Sequence, residues 1–119
     1  MGPRRFGNQT IQQNGNADNR DSGGILGRGN SHLDLFSASV VNNRGVGLAM
    51  RDNSSARLGG DTVTGNTAGG VNLLILSSTE LLPGNNITGN GITDLKCRLN
   101  SFALGDRSGI GTVSCPVEF

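Results

Sequence analysis

Ser39-Val40-Val41-Asn42-Asn43, Thr62-Val63-Thr64-Gly65-Asn66 and Asn86-Ile87-Thr88-Gly89-Asn90 carry one pattern: a polar residue, a β-branched residue, two more residues and an Asn. The β-branched positions Val40, Val63 and Ile87 lie 23 and 24 residues apart, and Ile110 follows 23 later. A second column is read at Leu33, Leu58, Leu81 and Leu104. A third is a set of alternating triplets: Val46, Leu48, Met50, then Val71, Leu73, Ile75, then Leu95, Cys97, Leu99. Alternation with period two identifies short strands with one buried face. Three such strands per 23–25 residues cannot each bury an apolar face alone, so every repeat must stack on the next, which is the logic of a solenoid.

Composition agrees with this reading. The chain has 119 residues, one domain's worth, of which 34% are hydrophobic and 3% aromatic, so a large aromatic core is excluded. Its 20 glycines, with asparagine next in abundance, supply the left-handed backbone conformations that corners require and disfavour long helices. Net charge is +1, without Trp, Tyr or a run of like charges, which argues against a nucleic-acid groove. The longest apolar run, Leu73 to Leu76, is too short for a membrane span, and no apolar stretch follows Arg4 and Arg5 as a signal peptide would require.

The motifs Ser39 to Met50, Thr62 to Ile75 and Asn86 to Leu99 resemble the repeats of right-handed parallel β-helix proteins, the pectate-lyase-like superfamily, over about Leu33 to Val113. The resemblance implies an all-β, right-handed, single-stranded parallel β-helix of four to five coils. It is unspecific for activity, since that superfamily holds polysaccharide lyases, hydrolases, adhesins and tailspikes. Residues 1–32 read as an irregular N-terminal coil, with Ile11 in the motif position, a polar loop from Asn16 to Ser22, and Ile25 opening a strand. Residues 33–113 read as regular coils and residues 114–119 as a capping tail. Because members of the family cover the N-terminal end with a helix and none is legible here, the resemblance implies further coils upstream, or a homo-oligomer formed through that end.

Cys97 and Cys115 lack the partners of a zinc site. A disulfide is expected of them, against the alternative of two free thiols. It would close a loop of about 15 to 20 residues, contribute roughly 3 kcal/mol, and indicate a secreted, periplasmic or cell-surface protein. Cys97 is read in line with Leu48 and Leu73, so the bond would pin the segment Val113 to Phe119, which alternates Val113, Cys115, Val117 and Phe119, as a lid on the last coil.

Among polar residues, Asn43, Asn66 and Asn90 are expected to form an internal amide ladder rather than a ligand-facing row. His32, Arg57 and Glu80 each precede a column leucine and are read as a stack on one solvated face, a setting in which ion pairs contribute little. With Asp34 and Asp61 they are the one place where acids, a base and an Arg could converge, so Asp34, Asp61, Arg57 and His32 are the candidate catalytic residues. No two acids share a column on neighbouring coils, as paired-carboxylate glycosidases or a calcium site would require. Gly27-Arg28-Gly29 and Gly45-Val46-Gly47 complete no nucleotide motif, and Gly59-Gly60-Asp61 completes no calcium repeat. Asn8, Asn53 and Asn86 begin glycosylation triplets that matter only in a eukaryotic source. No cofactor or metal is expected.

Two functions follow. The first is an extracellular structural or carbohydrate-binding module without its own catalysis, meeting a polysaccharide or cell-surface glycan. The second is a fragment of a polysaccharide lyase or glycoside hydrolase. Val40, Leu48, Leu58, Val63, Leu73, Ile75, Leu81, Ile87, Leu95 and Leu104 are expected to be buried. Leu74 and Leu76, equivalent to Ala49 and Arg51 one coil earlier, are expected to face outward under a loop or partner.

Overall fold

The computed structural model describes residues 3–7 and 10–12 as backbone strands and residues 23–115 in full. The strands are β1 (Pro3–Gly7), β2 (Thr10–Gln12), β3 (Gly23–Gly27), β4 (His32–Phe36), β5 (Ser39–Val41), β6 (Val46–Arg51) and β7 (Ser55–Gly59). They continue with β8 (Thr62–Thr64), β9 (Gly69–Leu74), β10 (Ser78–Leu81), β11 (Asn86–Thr88), β12 (Leu95–Arg98), β13 (Phe102–Gly105) and β14 (Val113–Ser114). Every third strand pairs in parallel with the last of its kind. The first sheet runs β1-β4-β7-β10-β13, the second β2-β5-β8-β11, and the third β3-β6-β9-β12-β14. The result is an all-β parallel solenoid of about four turns, with no helix among the described residues.

The core is the inside of the coil. Val40, Val63 and Ile87 stack in register on the second sheet and are fully buried, Ile11 continues their column by backbone pairing, and Ile110 bridges to Ile87. Leu48, Val71 and Leu95 form one column of the third sheet, and Met50, Leu73 and Cys97 form the next. Glycine stands where those columns need room. A Cβ at Gly47 would lie 2.8 Å from Asn66 Nδ2 and 3.0 Å from Val63 Cγ1, and one at Gly70 would lie 2.7 Å from Asn90 Nδ2. The glycine after the Asn thus lets the next coil's amide and β-branched residue close against the backbone.

Three readings of register are corrected. Leu33 stacks on Ala56, while Leu58 stacks between Leu35 and Leu81. His-Leu-Asp-Leu-Phe offers two inward leucines of equal parity, so alternation alone does not choose between them. Leu104 is 48% exposed, because β10 and β13 are offset by 24 residues (Ser78 beside Phe102), and the one-residue difference turns Leu104 outward beside Glu80. The third sheet steps by 23 between β6 and β9, so Cys97 lines up with Met50 and Leu73 rather than with Leu48. Ile75 then falls past the end of β9 at a corner, half-buried and at φ 54°. Leu74 lies beside Arg51, half-buried, and Leu76 is a corner residue that is 57% exposed.

The corners share one device. A side-chain oxygen of one coil accepts the backbone N–H of the equivalent residue in the coil before it, which satisfies donors that sheet pairing leaves over. At the corner leading into the first sheet, the N–H groups of Ser31, Ser54 and Ser77 donate to the hydroxyls of Ser54, Ser77 and Ser101 at 3.1–3.2 Å. Between the first and second sheets, Ala38 N–H donates to Asp61 Oδ1 and Asp61 N–H to Asn85 Oδ1, each at 2.9 Å.

Candidate functional site

At the corner between the second and third sheets the device is made of asparagines. Asn43 donates from N–H and Nδ2 to Asn66 Oδ1 at 3.0 and 2.8 Å. Asn66 does the same to Asn90 Oδ1 at 3.0 and 2.9 Å, and Nδ2 also donates to the Val40 carbonyl. Asn43 and Asn66 are fully buried. The Nδ2 groups of all three residues and the Oδ1 atoms of Asn66 and Asn90 are thus engaged along the wall, as an internal amide ladder.

The row ends on Asp94. Gly24, Gly47, Gly70 and Asp94 occupy one register position, and the acid stands where the glycine would be in the last complete coil. Its Oδ1 accepts Asn90 N–H and Nδ2 at 3.0 and 2.8 Å, and its Oδ2 accepts Thr112 N–H and Oγ1 at 2.8 and 3.1 Å. Burial works to raise its pKa, but the donors from Thr112 and Asn90 outweigh burial and hold the carboxyl below its ordinary value. Gly111 leaves the space for that carboxylate, since a Cβ there would collide with Oδ2 at 2.4 Å.

The candidate catalytic residues divide between two places. Asp61 is 0% exposed at its corner, where Oδ1 accepts Ala38 N–H and Oδ2 accepts Gly59 N–H. Burial dominates these bonds and raises its pKa to about 6. It is a corner residue like Asn85, and the site read from spacing loses it. His32, Asp34 and Arg57 do share the outward face of the first sheet, where inward Leu33, Ala56, Thr79 and Ala103 alternate with outward groups that are mostly polar on β4, β7 and β10 and apolar on β13. The columns differ from the expected stack. One is His32, Ser55, Ser78 and Phe102; the other is Asp34, Arg57, Glu80 and Leu104. His32 and Arg57 are therefore in different columns, and Arg57 sits between two carboxylates.

These groups are mutually engaged. Arg57 Nε is 3.2 Å from Glu80 Oε1, and its guanidinium carbon lies 5.9 Å from the Phe36 ring centre. His32 Nε2 is 2.9 Å from Asp34 Oδ1, and Nδ1 is 2.8 Å from Ser55 Oγ. Beside them lies an open depression of about 230 Å³ lined by His32, Ser55, Arg57, Glu80, Phe102 and Leu104. Phe102 and Leu104, each nearly half-exposed, give it an apolar end. The Ser55–His32–Asp34 chain has the hydrogen-bond order of a nucleophile, base and orienting acid. Ser55 N–H is donated to the Ser31 carbonyl, so the backbone of the hydroxyl residue itself supplies no oxyanion donor. Sequence reasoning missed Phe102, Ser55 and Ser78, whose place on this face follows only from the 23- and 24-residue offsets.

Cys97 and Cys115 are joined in a disulfide, with Cα atoms 4.6 Å apart, and no free cysteine occurs among the described residues. Val113 and Ser114 pair with Leu95 and Lys96, and Val113 is partly exposed. The remainder of the proposed lid, Val117 and Phe119, lies outside the described residues, as do the loop from Asn16 to Ser22 and the triplet at Asn8. The disulfide points to an oxidising compartment, and no helix is long and apolar enough to cross a membrane. No group of three or more metal-ligating side chains occurs among the described residues. Comparison with protein-family models, with curated proteins and with solved structures finds no match.

Proposed function

We propose that this chain is a right-handed β-helix module of the pectate-lyase-like kind, acting outside the cytoplasm as a structural and glycan-binding element without chemistry of its own. The observation that carries the reading is the state of the acids. Asp34 is tied to His32, Glu80 to Arg57, Asp94 to four donors, and Asp61 is buried in a corner. Of the four, only Asp34 and Glu80 share a face, and the Arg57 guanidinium stands in the column between them, which works against the division into acid and base that sugar hydrolysis by paired carboxylates requires. The outward face of the first sheet supports binding instead. Its hydroxyls and paired charges recur with the strand spacing of about 4.8 Å, and the Phe102 ring stands at one end as an apolar platform for a sugar.

Ser55, His32 and Asp34 favour a second reading, a hydrolase of polysaccharide or its esters, because imidazole held between carboxylate and hydroxyl is the arrangement that activates a serine. One experiment separates the two. Affinity electrophoresis of the disulfide-bonded chain through neutral and acidic polysaccharides is expected to show retardation by at least one of them, weakened by Phe102→Ala, with no new reducing ends, unsaturated products or released acyl groups. Turnover abolished by Ser55→Ala would replace the binding module with the enzyme, and absence of any retardation would remove the glycan.

A further inference from the structure

The second sheet differs from the other two on its outer side. Ser39, Val41, Thr62, Thr64, Asn86 and Thr88 point outward from β5, β8 and β11, alternating with buried Val40, Val63 and Ile87. None carries charge, whereas the first sheet presents His32, Asp34, Arg57 and Glu80, and the third presents Arg51, Lys96 and Arg98. Register places the six residues in two straight rows, Ser39–Thr62–Asn86 and Val41–Thr64–Thr88, which the backbone of Thr10 and Gln12 extends by one strand. Parallel pairing fixes this net at about 4.8 Å between strands and about 6.6 Å along each strand.

The side chains on the net are short and held. Val41, Thr62, Thr64 and Thr88 are β-branched and stiff about their first torsion. Thr88 Oγ1 donates to Asn86 Oδ1 at 2.8 Å, which ties the last pair together. Beside β8 and β11 both edges are low, since Gly60 and Gly84 turn the chain on one side and Gly65 and Gly89 on the other, all four at positive φ and exposed; beside β5 the same corners are the short residues Ser37 and Asn42. Such a plate has no depth for a small molecule, and no aromatic or arginine anchor for a protein partner. It suits a flat, uncharged, periodic solid.

We propose that the outward face of the second sheet binds ice. Its rows of hydroxyls and methyls sit on a rectangular net whose inter-strand repeat is close to the shorter repeat of the oxygens on a prism face of hexagonal ice, the along-strand repeat being somewhat shorter than the other. Water held over such groups can adopt the lattice without meeting a charge that would impose a different hydration shell. A crystalline polysaccharide is also flat and periodic, but it is gripped by aromatic rings stacked on sugar faces, and Phe36 and Phe102, the aromatic residues among those described in full, are both on the first sheet. The inference is independent of the glycan reading, which concerns another face.

The test is the growth of ice grains in an annealed frozen film containing the purified, disulfide-bonded chain. Grains are expected to stay small where an equal mass of albumin lets them coarsen. Thr64→Tyr and Thr62→Lys, each raising a bulky or charged group above the plate, should increase the concentration needed by about tenfold or more. Arg98→Tyr, on the third sheet, should leave it unchanged, and circular dichroism melts verify that each variant is folded. If Thr64→Tyr fails to fold, Thr88→Lys takes its place. Coarsening equal to albumin, a plate variant as active as the parent, or retention on microcrystalline cellulose or chitin with no effect on ice would each overturn the proposal.

Discussion

Replacing Asp94 by Ala removes the acceptor on which the asparagine ladder ends. Four donors lose one acceptor: Asn90 N–H and Nδ2, and Thr112 N–H and Oγ1, of which Nδ2 keeps the carbonyls of Val63 and Thr88. Thr112 is exposed, so water replaces the carboxylate there at little cost. Asn90 is half-buried, and its two donors each forfeit a bond to a charged acceptor at roughly 1.5–3 kcal/mol, part of which water recovers. A net loss of about 2–3 kcal/mol is a large share of a total stability of roughly 5–15 kcal/mol. At this chain length it lowers the melting temperature by about 10–15 °C. The effect has a pH signature. Asp94 has a depressed pKa in the folded state, so its contribution is present above the ordinary carboxylate pKa and is lost as pH falls through the folded value. Melting followed by far-ultraviolet circular dichroism should show the full gap between parent and Asp94→Ala at pH 7 and a narrowing gap below about pH 4. A variant that melts within about 2 °C of the parent at pH 7 would refute the assignment of Asp94 as the terminator of the ladder.

Asp61 has the opposite sign. Its folded pKa of about 6 lies above the unfolded 3.8, so the folded state holds the proton more tightly and stability falls as pH rises from about 4 to about 6, by about 3 kcal/mol on the linkage relation. Asp61→Asn should flatten that part of a stability–pH curve, and an unchanged slope would assign it to another group. Leu73→Asp puts a carboxylate between Met50 and Cys97 at a position with no exposure, and no cooperative melt is expected; one at the parent temperature would refute the register. Reduction of Cys97–Cys115, which spans 18 residues, should cost about 3 kcal/mol and release the β12–β14 pairing first, seen as faster hydrogen exchange at Leu95 than at Leu48.

The repeat was legible because one column, Val40, Val63 and Ile87, is β-branched, flanked by polar residues, and paired with an Asn three positions on. Its period alone defines a stack of parallel strands and places Asn43, Asn66 and Asn90 at one corner. The first sheet was harder. Two inward leucines in β4 share a parity, so taking Leu33 for the partner of Leu58 put His32 in the column of Arg57; the last coil is one residue longer, so a spacing of 23 carried Leu104 to the wrong side. The candidate site inherited those errors. Asp61 is separated from Asp34 by a corner, which linear spacing does not reveal. Asp94 was not found because its meaning depends on the glycine column it interrupts. The serine ladder, by contrast, stood in plain view: Ser31, Ser54, Ser77 and Ser101 recur at 23, 23 and 24 residues.

The register on which both proposed faces depend is most directly tested by through-space contacts between methyl groups in a nuclear magnetic resonance spectrum of the labelled chain. Val63 should show contacts to both Val40 and Ile87, and Leu58 to both Leu35 and Leu81, with none from Leu81 to Leu104. Contacts from Leu81 to Leu104, or from Val63 to only one neighbour of its column, would contradict this register and the two faces built on it.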